Sequence, residues 1–428
     1  MPRYQAVAKQ VRIVKQLFDF KHNLEIPLTP MQRVLLAESQ TTGRPWINVE
    51  QIVVHFRDVS ICDERVSTAL LALSERHDAL RLTGHRDALS HLGQITENSG
   101  HIPFEKDNRS ATSAQGHATQ LEVFLNSDRL RGFDFAADCP WRARLIQWGN
   151  EQAVLVLTIH HAIADGRSMA LLTQELISFL QTNELPPVDA NSCDFATFCR
   201  HISDDVPHKR EAEAYFAEYL NDIDNAGSLR LPINDDIEPT ADRKRQNKRA
   251  LHPEVGQKLR RLAARNDATL ANLMQAAWGI LLARWQGSDD ICFGVVRSGR
   301  HAVADTQKTV GCLINTLPTR VRIDFDLTVH EMLKGLRQHT LSLHRLEQTP
   351  SDLIRHAIGL HGAQPLFETA VVFENAGFEQ LVLGKSPSGL VERIELREEG
   401  GLPLMLSIRA GDVIEILLEH DPSRVSDV

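Results

Sequence analysis

The sequence has no run of about 18 consecutive apolar residues, the length that a membrane-spanning helix needs. Its first segment, Met1 to Lys21, lacks both a continuous apolar stretch and a small-residue cleavage site. That segment therefore predicts an amphipathic lead-in helix rather than a secretory signal. An excess of basic residues is also absent, since 47 Lys and Arg residues stand against 56 Asp and Glu residues. These absences argue against a membrane protein and against a nucleic-acid partner.

Cysteine is scarce as well. The chain has six cysteines, and no two of them form a Cys-x-x-Cys pair. Such scattered cysteines are typical of free thiols in a reducing compartment, whereas a disulfide framework would show closely spaced pairs. We therefore expect a cytoplasmic protein without structural disulfides.

The length of 428 residues exceeds what one small hydrophobic core usually supports, so the chain predicts two lobes. Helical and extended patterns alternate along both halves, which favours a mixed α/β fold class. The segment Leu185-Pro186-Pro187-Val188-Asp189 breaks this alternation. We place the boundary there, with an N-terminal lobe at residues 1–187 and a C-terminal lobe at residues 188–428.

Several later segments have patterns clear enough to assign. A polar stretch from Asn221 to Arg249 predicts a loop; we interpret its basic run from Arg243 as a solvated surface, with a docking patch for an acidic partner as the alternative. The remaining predictions are helices at 255–265, 270–285 (capped by Thr269) and 329–346, and strands at 290–296, 318–325, 368–373, 404–408 and 414–418.

The motif that carries chemistry is His160-His161-Ala162-Ile163-Ala164-Asp165-Gly166. It follows a predicted buried strand, Gln152 to Ile159, and precedes an amphipathic helix for which Ser168 is the candidate N-cap. Neighbouring residues at a strand end point to opposite faces, so His160 and His161 do not share one task, and no metal site is expected. Gly166 permits a backbone conformation that a side chain would penalise.

A histidine can accept a proton from an amine or an alcohol near neutral pH, because its ordinary pKa is near 6.5. Asp165 could orient such a histidine, or it could pair with an arginine and brace the loop. Taken alone, the motif is equally compatible with two core histidines and a turn aspartate.

The wider sequence resembles the condensation domains of nonribosomal peptide synthetases, within the chloramphenicol-acetyltransferase-like superfamily. The resemblance extends from about Leu28 to Pro422 and keeps the family's motif order. Besides the histidine motif, the matching segments are Leu28-Thr29-Pro30-Met31-Gln32, Glu75-Arg76-His77-Asp78-Ala79-Leu80-Arg81, Phe133-Asp134-Phe135, Pro140-Trp141-Arg142-Ala143, Ala214-Tyr215-Phe216, Phe293 to Arg300, Gly311 to Pro318, Pro365-Leu366-Phe367 and Val372-Phe373-Glu374-Asn375.

The resemblance implies two lobes in a V-shaped pseudo-dimer with a central tunnel. It makes His161 the catalytic residue facing the tunnel, with His160 and Gly166 as support. It makes Asp165 a structural residue paired with an arginine, for which Arg300 is the first choice and Arg76 the second. Two further residues, Ser298 and Asn315, are expected to line the tunnel. Segments near 297–311 and after Asn375 are expected to cross from the second lobe and brace the first.

By the same resemblance, the enzyme joins an acyl or aminoacyl thioester to an amine or alcohol acceptor. Carrier proteins would present the substrates on phosphopantetheine arms, and no cofactor would be bound permanently; a small-molecule acceptor is also possible. The protein would be a monomer or part of a larger synthetase. Two alternatives stay open: a coenzyme A-dependent acyltransferase of the same superfamily, and a non-catalytic domain that recruits carrier proteins.

Overall fold

The computed structural model describes residues 24–57, 61–84, 91–96, 102–109, 113–136, 139–149, 152–188, 191–223, 229, 244–324, 326–361, 365–384 and 389–425. The expected lead-in helix and Arg243 lie outside the described residues. All six cysteines lie within them and are free thiols. In the described part of the chain, no helix is long and apolar enough to cross a membrane.

The described elements include helices and strands in both halves of the chain, as the sequence pattern predicts. The strands are β1 (Leu24–Pro27), β2 (Val49–Phe56), β3 (Leu82–Gly84), β4 (Leu92–Ile95), β5 (Phe104–Arg109), β6 (Trp141–Trp148), β7 (Gln152–His160), β8 (Arg245–Ala250), β9 (Asp290–Arg297), β10 (Asn315–Arg322), β11 (Thr369–Glu374), β12 (Val391–Arg397), β13 (Leu404–Ala410) and β14 (Ile414–His420). The helices are α1 (Pro30–Thr41), α2 (Asp63–Arg76), α3 (Ala114–Arg131), α4 (Gly166–Thr182), α5 (Phe195–Asp204), α6 (Val206–Tyr219), α7 (Pro253–Arg265), α8 (Leu270–Gln286), α9 (Val329–Leu346), α10 (Ser351–Ala357) and α11 (Phe378–Leu383), with a 3-10 turn at Asp78–Arg81.

A five-stranded sheet in the order β12-β2-β7-β6-β5 carries the histidine motif. Its central strand β7 is buried on both faces: Leu155 and Leu157 belong to one core, whereas Val154 and Val156 belong to a second core beneath α3. This period-two alternation sends successive residues to opposite faces. The strand ends at His160, which pairs in register with Val49 of β2, so the motif loop starts at the edge of a rigid sheet.

The second half of the chain builds a six-stranded sheet in the order β10-β9-β11-β13-β14-β8. Helices α7, α8 and α9 cover its core, in which Phe293, Leu404 and Ile408 are buried. A separate three-stranded sheet has the order β1-β4-β3. The mixed α/β class is therefore confirmed.

Part of the second half of the chain belongs to the first sheet. Strand β12 pairs antiparallel with β2, from Val391 opposite Phe56 to Arg397 opposite Gln51. Helix α11, just before it, packs on α4. Because these segments lie on the N-terminal sheet, the two halves are interlocked rather than merely adjacent. The position of the boundary at residue 187 stays a prediction.

Two local predictions were wrong. Asp165, not Ser168, is the N-cap of α4: its carboxylate accepts the backbone N–H of Ser168 at 2.8 Å. The predicted polar loop also contains strand β8, which pairs with β14 at the edge of the sheet. All six residues of β8 are exposed, so this strand lacks the apolar alternation by which strands are recognised. Lys244 in the same basic run is nearly buried against the carbonyls of Gly400 and Leu402, which argues against a docking role for it.

Strand β10 begins three residues earlier than predicted, at Asn315, and includes Pro318. Proline cannot donate a ladder hydrogen bond and is tolerated mainly in edge strands. In this sheet β10 is an edge strand, with β9 as its one strand neighbour among the described residues, which explains why the proline does not end the strand.

Gly299 offers a test of how tightly the second half of the chain is packed near the motif. Its φ is +67°, and an added Cβ would overlap the carbonyl oxygen of Leu313. We expect Gly299→Ala to lose about 1–2 kcal/mol of unfolding free energy to left-handed strain and at least about 1–3 kcal/mol more to the overlap. Gly287→Ala is the matched control, because Gly287 has a φ of +64° with open space around it. Equal losses in urea unfolding of the two variants would contradict this account.

Candidate active site

His161 stands just after the end of β7 with one ring nitrogen fixed. Its backbone N–H donates to the carbonyl of Asn48 at 2.8 Å, which continues the pairing with β2. Its Nδ1 lies 2.8 Å from the carbonyl oxygen of Ala164. A carbonyl can only accept, so Nδ1 carries the proton and Nε2 of the neutral ring has a free lone pair. The side chain is 18% exposed, and Nε2 lies 3.5 Å from Oε1 of Glu50.

His160 has the opposite environment. Its Nδ1 accepts the backbone N–H of Ala162 at 3.1 Å, and its Nε2 lies 2.9 Å from the hydroxyl of Ser39, to which it therefore donates. The rings of Phe133 and Phe135 pack around it. Burial, with a smaller effect from the neighbouring His161, lowers the pKa of His160 to about 3. This histidine is a neutral core residue whose hydrogen bonds hold the motif loop.

Asp165 forms a buried ion pair with Arg300. Nη2 of Arg300 lies 2.9 and 3.2 Å from the two carboxylate oxygens, so the structure brings together the first-choice pair. The carboxylate also accepts the backbone N–H groups of Ser168 and Leu313. The other guanidinium nitrogen of Arg300 donates to the carbonyls of Thr306 and Thr309, each at 2.8 Å. One carboxylate therefore caps α4 and ties it to the segment between β9 and β10.

The other four predicted site residues are Arg76, Gly166, Ser298 and Asn315, and each has a different environment. Arg76 pairs with Glu175 at 3.3 Å and not with Asp165, so the second-choice partner was wrong. Gly166 is the first residue of α4 and does not have a positive φ, so the expected special conformation is not seen. Ser298 is exposed. Asn315 is buried, and its amide donates to the carbonyls of Glu347 and Thr349. Those contacts indicate a bracing residue, and a tunnel-lining role for Ser298 and Asn315 stays a prediction.

Three carboxylates were not predicted as site residues: Glu50 on β2, 3.5 Å from His161, and its neighbours Glu374 at the end of β11 and Glu398 just after β12. Burial, followed by the charges of Asp165 and Glu374, raises the pKa of Glu50 well above its ordinary value. Burial, followed by the charges of Glu50 and Glu374, raises the pKa of Glu398 to about 8. The sequence held two signals, an acidic residue within the buried strand β2 and the place of Glu374 in the matching segment Val372-Phe373-Glu374-Asn375, whereas Arg397-Glu398-Glu399 looks like an ordinary surface run.

A cavity of about 680 Å³ is lined by residues from both halves of the chain. Its lining includes Arg33 from α1, His208 from α6 and Gln348 after α9. Gln348 donates to the carbonyl of Leu313, the residue whose N–H binds Asp165. This volume is within the range of small-molecule sites. His161 is not among the residues that line the cavity.

A family model, described as "Condensation domain", matches residues 23–392, which include every motif residue discussed above. The chain belongs to the condensation-domain family. Similar curated proteins include bacitracin synthase 3 of Bacillus licheniformis, 28% identical over 92% of this chain, and one of the linear gramicidin synthase subunits of Brevibacillus parabrevis, 27% identical over 99% of it. This condensation domain spans only 6% and 8% of those two synthetases.

Solved structures share the fold of this condensation domain at low identity. The starter condensation domain of rhizomide synthetase in complex with C8-CoA is 17% identical with a TM-score of 0.75, over 94% of this chain and 90% of that one. The condensation domain of the monacolin K polyketide synthase has a TM-score of 0.74 at 17% identity, over 94% of both chains. The X-domain of teicoplanin biosynthesis, solved in complex with OxyB, has a TM-score of 0.75 at 18% identity, over 94% and 89%.

The buried pair makes Asp165 a stability residue. Removing the carboxylate leaves the Arg300 charge buried without its partner, which typically costs about 3–5 kcal/mol. We expect Asp165→Ala to lower the free energy of unfolding by about that amount in chemical denaturation. Asp63→Ala is the control, because Asp63 pairs with Lys106 in a largely exposed position, where such pairs contribute about 0–1 kcal/mol. An Asp165→Ala protein as stable as the wild type would show that the pair contributes little.

His160 predicts a pH dependence of stability. Its pKa is about 3 in the folded protein and near 6.5 in the unfolded chain. The unfolded state therefore binds more protons, and stability falls as pH decreases through this window. Between pH 7 and pH 5 the loss from this residue is about 2 kcal/mol. We expect His160→Gln to remove that part of the pH dependence, measured by urea unfolding at both pH values, and exposed His330→Gln to retain it. The same pH dependence in His160→Gln and the wild type would refute the assignment.

Proposed function

We propose that this condensation domain joins an acyl or aminoacyl thioester to an amine or alcohol acceptor, forming an amide or an ester. The observation that carries the proposal is the state of His161. Its Nδ1–H donates to the carbonyl of Ala164, which leaves Nε2 as the nitrogen of the ring that can accept a proton, and the side chain is partly accessible. A neutral imidazole with a fixed tautomer and an accessible basic nitrogen is what proton abstraction requires.

In the proposed reaction, the acceptor nitrogen or oxygen attacks the thioester carbonyl. His161 Nε2 takes the proton that the nucleophile loses as the new C–N or C–O bond forms. The C–S bond then breaks, and the proton passes to the leaving thiolate. General-base help of this kind contributes about 10²- to 10⁴-fold. A positioning role for His161, in which it aligns the nucleophile, is the alternative, since alignment alone can also lower the barrier by several kcal/mol.

Asp165 and His160 act indirectly in this proposal. The Asp165–Arg300 pair and the hydrogen bonds of His160 hold the motif backbone on both sides of His161. They keep the Ala164 carbonyl where it can accept the hydrogen bond from Nδ1–H of His161.

Carrier proteins with phosphopantetheine arms are the proposed partners, because the curated relatives are long synthetases of which this domain spans a small share. A coenzyme A thioester is the alternative donor; the similar rhizomide domain was solved with C8-CoA. A third candidate is a recruiting role, since the similar X-domain was solved with OxyB. The intact His161 geometry favours catalysis over recruitment.

The sharpest test is His161→Ala. We expect this variant to stay folded, because the ring is partly exposed, and to lose at least about two orders of magnitude in single-turnover rate. The assay mixes a donor-loaded and an acceptor-loaded carrier and detects the product by mass spectrometry. His330→Ala, at an exposed histidine, serves as the control. Near-wild-type turnover in His161→Ala would reject the catalytic assignment, and equal rates with coenzyme A thioesters would favour the coenzyme A alternative.

The pH profile separates the two roles of His161. A general base loses activity on the acidic side as its nitrogen becomes protonated, with an apparent pKa in the histidine range. A purely positioning residue does not require that limb. We expect the single-turnover rate of the wild type to fall at acidic pH, and the residual rate of His161→Ala to show no such fall.

A further inference from the structure

Three neighbouring glutamates, Glu50, Glu374 and Glu398, form a group whose member Glu50 lies 3.5 Å from His161 Nε2; we call it the carboxylate cluster. Its members come from both sheets: Glu50 lies on β2 beside β7, Glu374 ends β11, and Glu398 lies on the segment that joins β12 of the first sheet to β13 of the second. The nearest heavy atom to a Cβ built on Gly166 is the Glu398 carboxylate, at 3.9 Å. The cluster therefore lies where the two halves of the fold meet, next to His161.

The three carboxyl groups of the cluster have few cations and hydrogen-bond donors to satisfy them among the described residues. Among the described residues, Arg409 is the one arginine or lysine that pairs with it, through Nε to Glu374 at 3.1 Å and Nη2 to Glu398 at 3.8 Å. Within those same residues, Glu50 pairs only with His161, at 3.5 Å. Its second carboxylate oxygen is buried and has no hydrogen-bond partner in the described part of the chain.

An unpaired oxygen on a buried carboxylate is costly, because burial removes its water without supplying a donor. The raised pKa of Glu50 expresses the same cost, since a proton on the carboxyl group offsets the missing donor. Yet 37% of the Glu398 side chain and 30% of the Glu374 side chain remain accessible. Glu374 and Glu398 are therefore within reach of a ligand, and Oε2 of Glu50 has no hydrogen-bond donor among the described residues.

A compact metal ion does not fit this arrangement. A single ion needs ligand atoms that converge, and the one group of described residues whose ligand atoms converge within 4.8 Å is His301, His344 and Glu347, away from the cluster. Separated carboxylates at the side of a histidine suit an elongated cation with N–H donors. An alkylammonium group supplies both, with three donors and one charge.

We propose that the carboxylate cluster binds the second, positively charged amino group of an acceptor that carries two amines, while the reacting amine lies at His161. This inference rests on the proposed function and names its acceptor class. The free amine attacks the thioester carbonyl, its proton passes through His161 Nε2 to the leaving thiolate, and the C–N bond replaces the C–S bond. The second ammonium keeps its proton throughout. A free diamine and a lysine-like aminoacyl group on a carrier present the same chemistry.

Binding can be measured without turnover, by titrating the full-length chain with diaminobutane or butylamine and following the imidazole ¹⁵N signals of His161. We expect the wild type to bind diaminobutane at least about tenfold more tightly than butylamine, since loss of one charge-assisted contact costs at least that factor. Glu398→Gln should abolish the preference. Glu392→Gln is the matched control, because it removes one charge from an exposed position on the adjoining strand β12, and it should retain the preference.

The variant Glu398→Gln is chosen before Glu50→Gln because Glu398 is partly accessible and its change to glutamine is expected to leave folding intact. Equal affinity for the two amines, or a preference that survives in Glu398→Gln, would overturn the proposal. If Glu392→Gln also loses the preference for diaminobutane, the preference comes from the overall charge of the protein, and this result would likewise overturn the proposal.

Turnover separates this inference from the proposed function. With one donor thioester, rates are compared for diaminobutane against butylamine and for lysyl-carrier against norleucyl-carrier. If diaminobutane reacts faster than butylamine and the difference depends on Glu398, the acceptor is a small diamine. If lysyl-carrier reacts faster than norleucyl-carrier in the same way, the acceptor is a basic aminoacyl group on a carrier. Amides formed equally from both members of each pair would leave the condensation function standing and reject the cluster's role. Glu398-dependent diamine binding without amide from any acceptor would support the binding site and reject the condensation function.

Discussion

The ion pair between Asp165 and Arg300 is the interaction on which the rest of the site depends. Its carboxylate caps helix α4, accepts the N–H of Leu313 and binds an arginine that itself holds Thr306 and Thr309. Both charged groups are almost completely buried. Such a pair is poor at adding net stability, because desolvation offsets much of its attraction, but breaking it is costly. It therefore fixes one arrangement of the motif loop against the second half of the chain.

The two adjacent histidines show how backbone position divides chemistry between identical side chains. His160 belongs to a strand buried on both faces, so its ring lies in the core, where burial disfavours its charge. His161 begins the loop, and its ring turns back to the Ala164 carbonyl. The first ring can only brace the loop. The second keeps a basic nitrogen at an accessible position, held in one tautomer by a backbone carbonyl that the Asp165 network keeps in place.

The accessible side of His161 is formed by chain segments that are far apart in the sequence. Strand β12 returns from the second half to pair with β2, and the residue that follows it, Glu398, therefore comes within reach of Gly166. Register places Arg409 beside Glu374 on the neighbouring strands β13 and β11. The interlocked halves thus determine the electrostatic character of the site, which a single lobe could not provide.

The sequence by itself determined the mixed α/β class, the motif and several of the elements, because apolar periodicity and capping residues are local signals. Helix α9 has the predicted bounds, and Thr269 caps α8 as predicted. The resemblance also supplied the Asp165–Arg300 pair.

Exposed strand β8 could not be recognised, because a strand without a buried face shows no alternation. Nor could the sequence choose Asp165 over Ser168 as the cap of α4, since both residue types can cap a helix. In the structure the Ser168 hydroxyl is hydrogen-bonded to the backbone of Gly311 and is not available as a cap. The carboxylate cluster was hidden because its members are far apart in the sequence: the pairing of β12 with β2 brings Glu398 towards Glu50, and Glu374 comes from the other sheet.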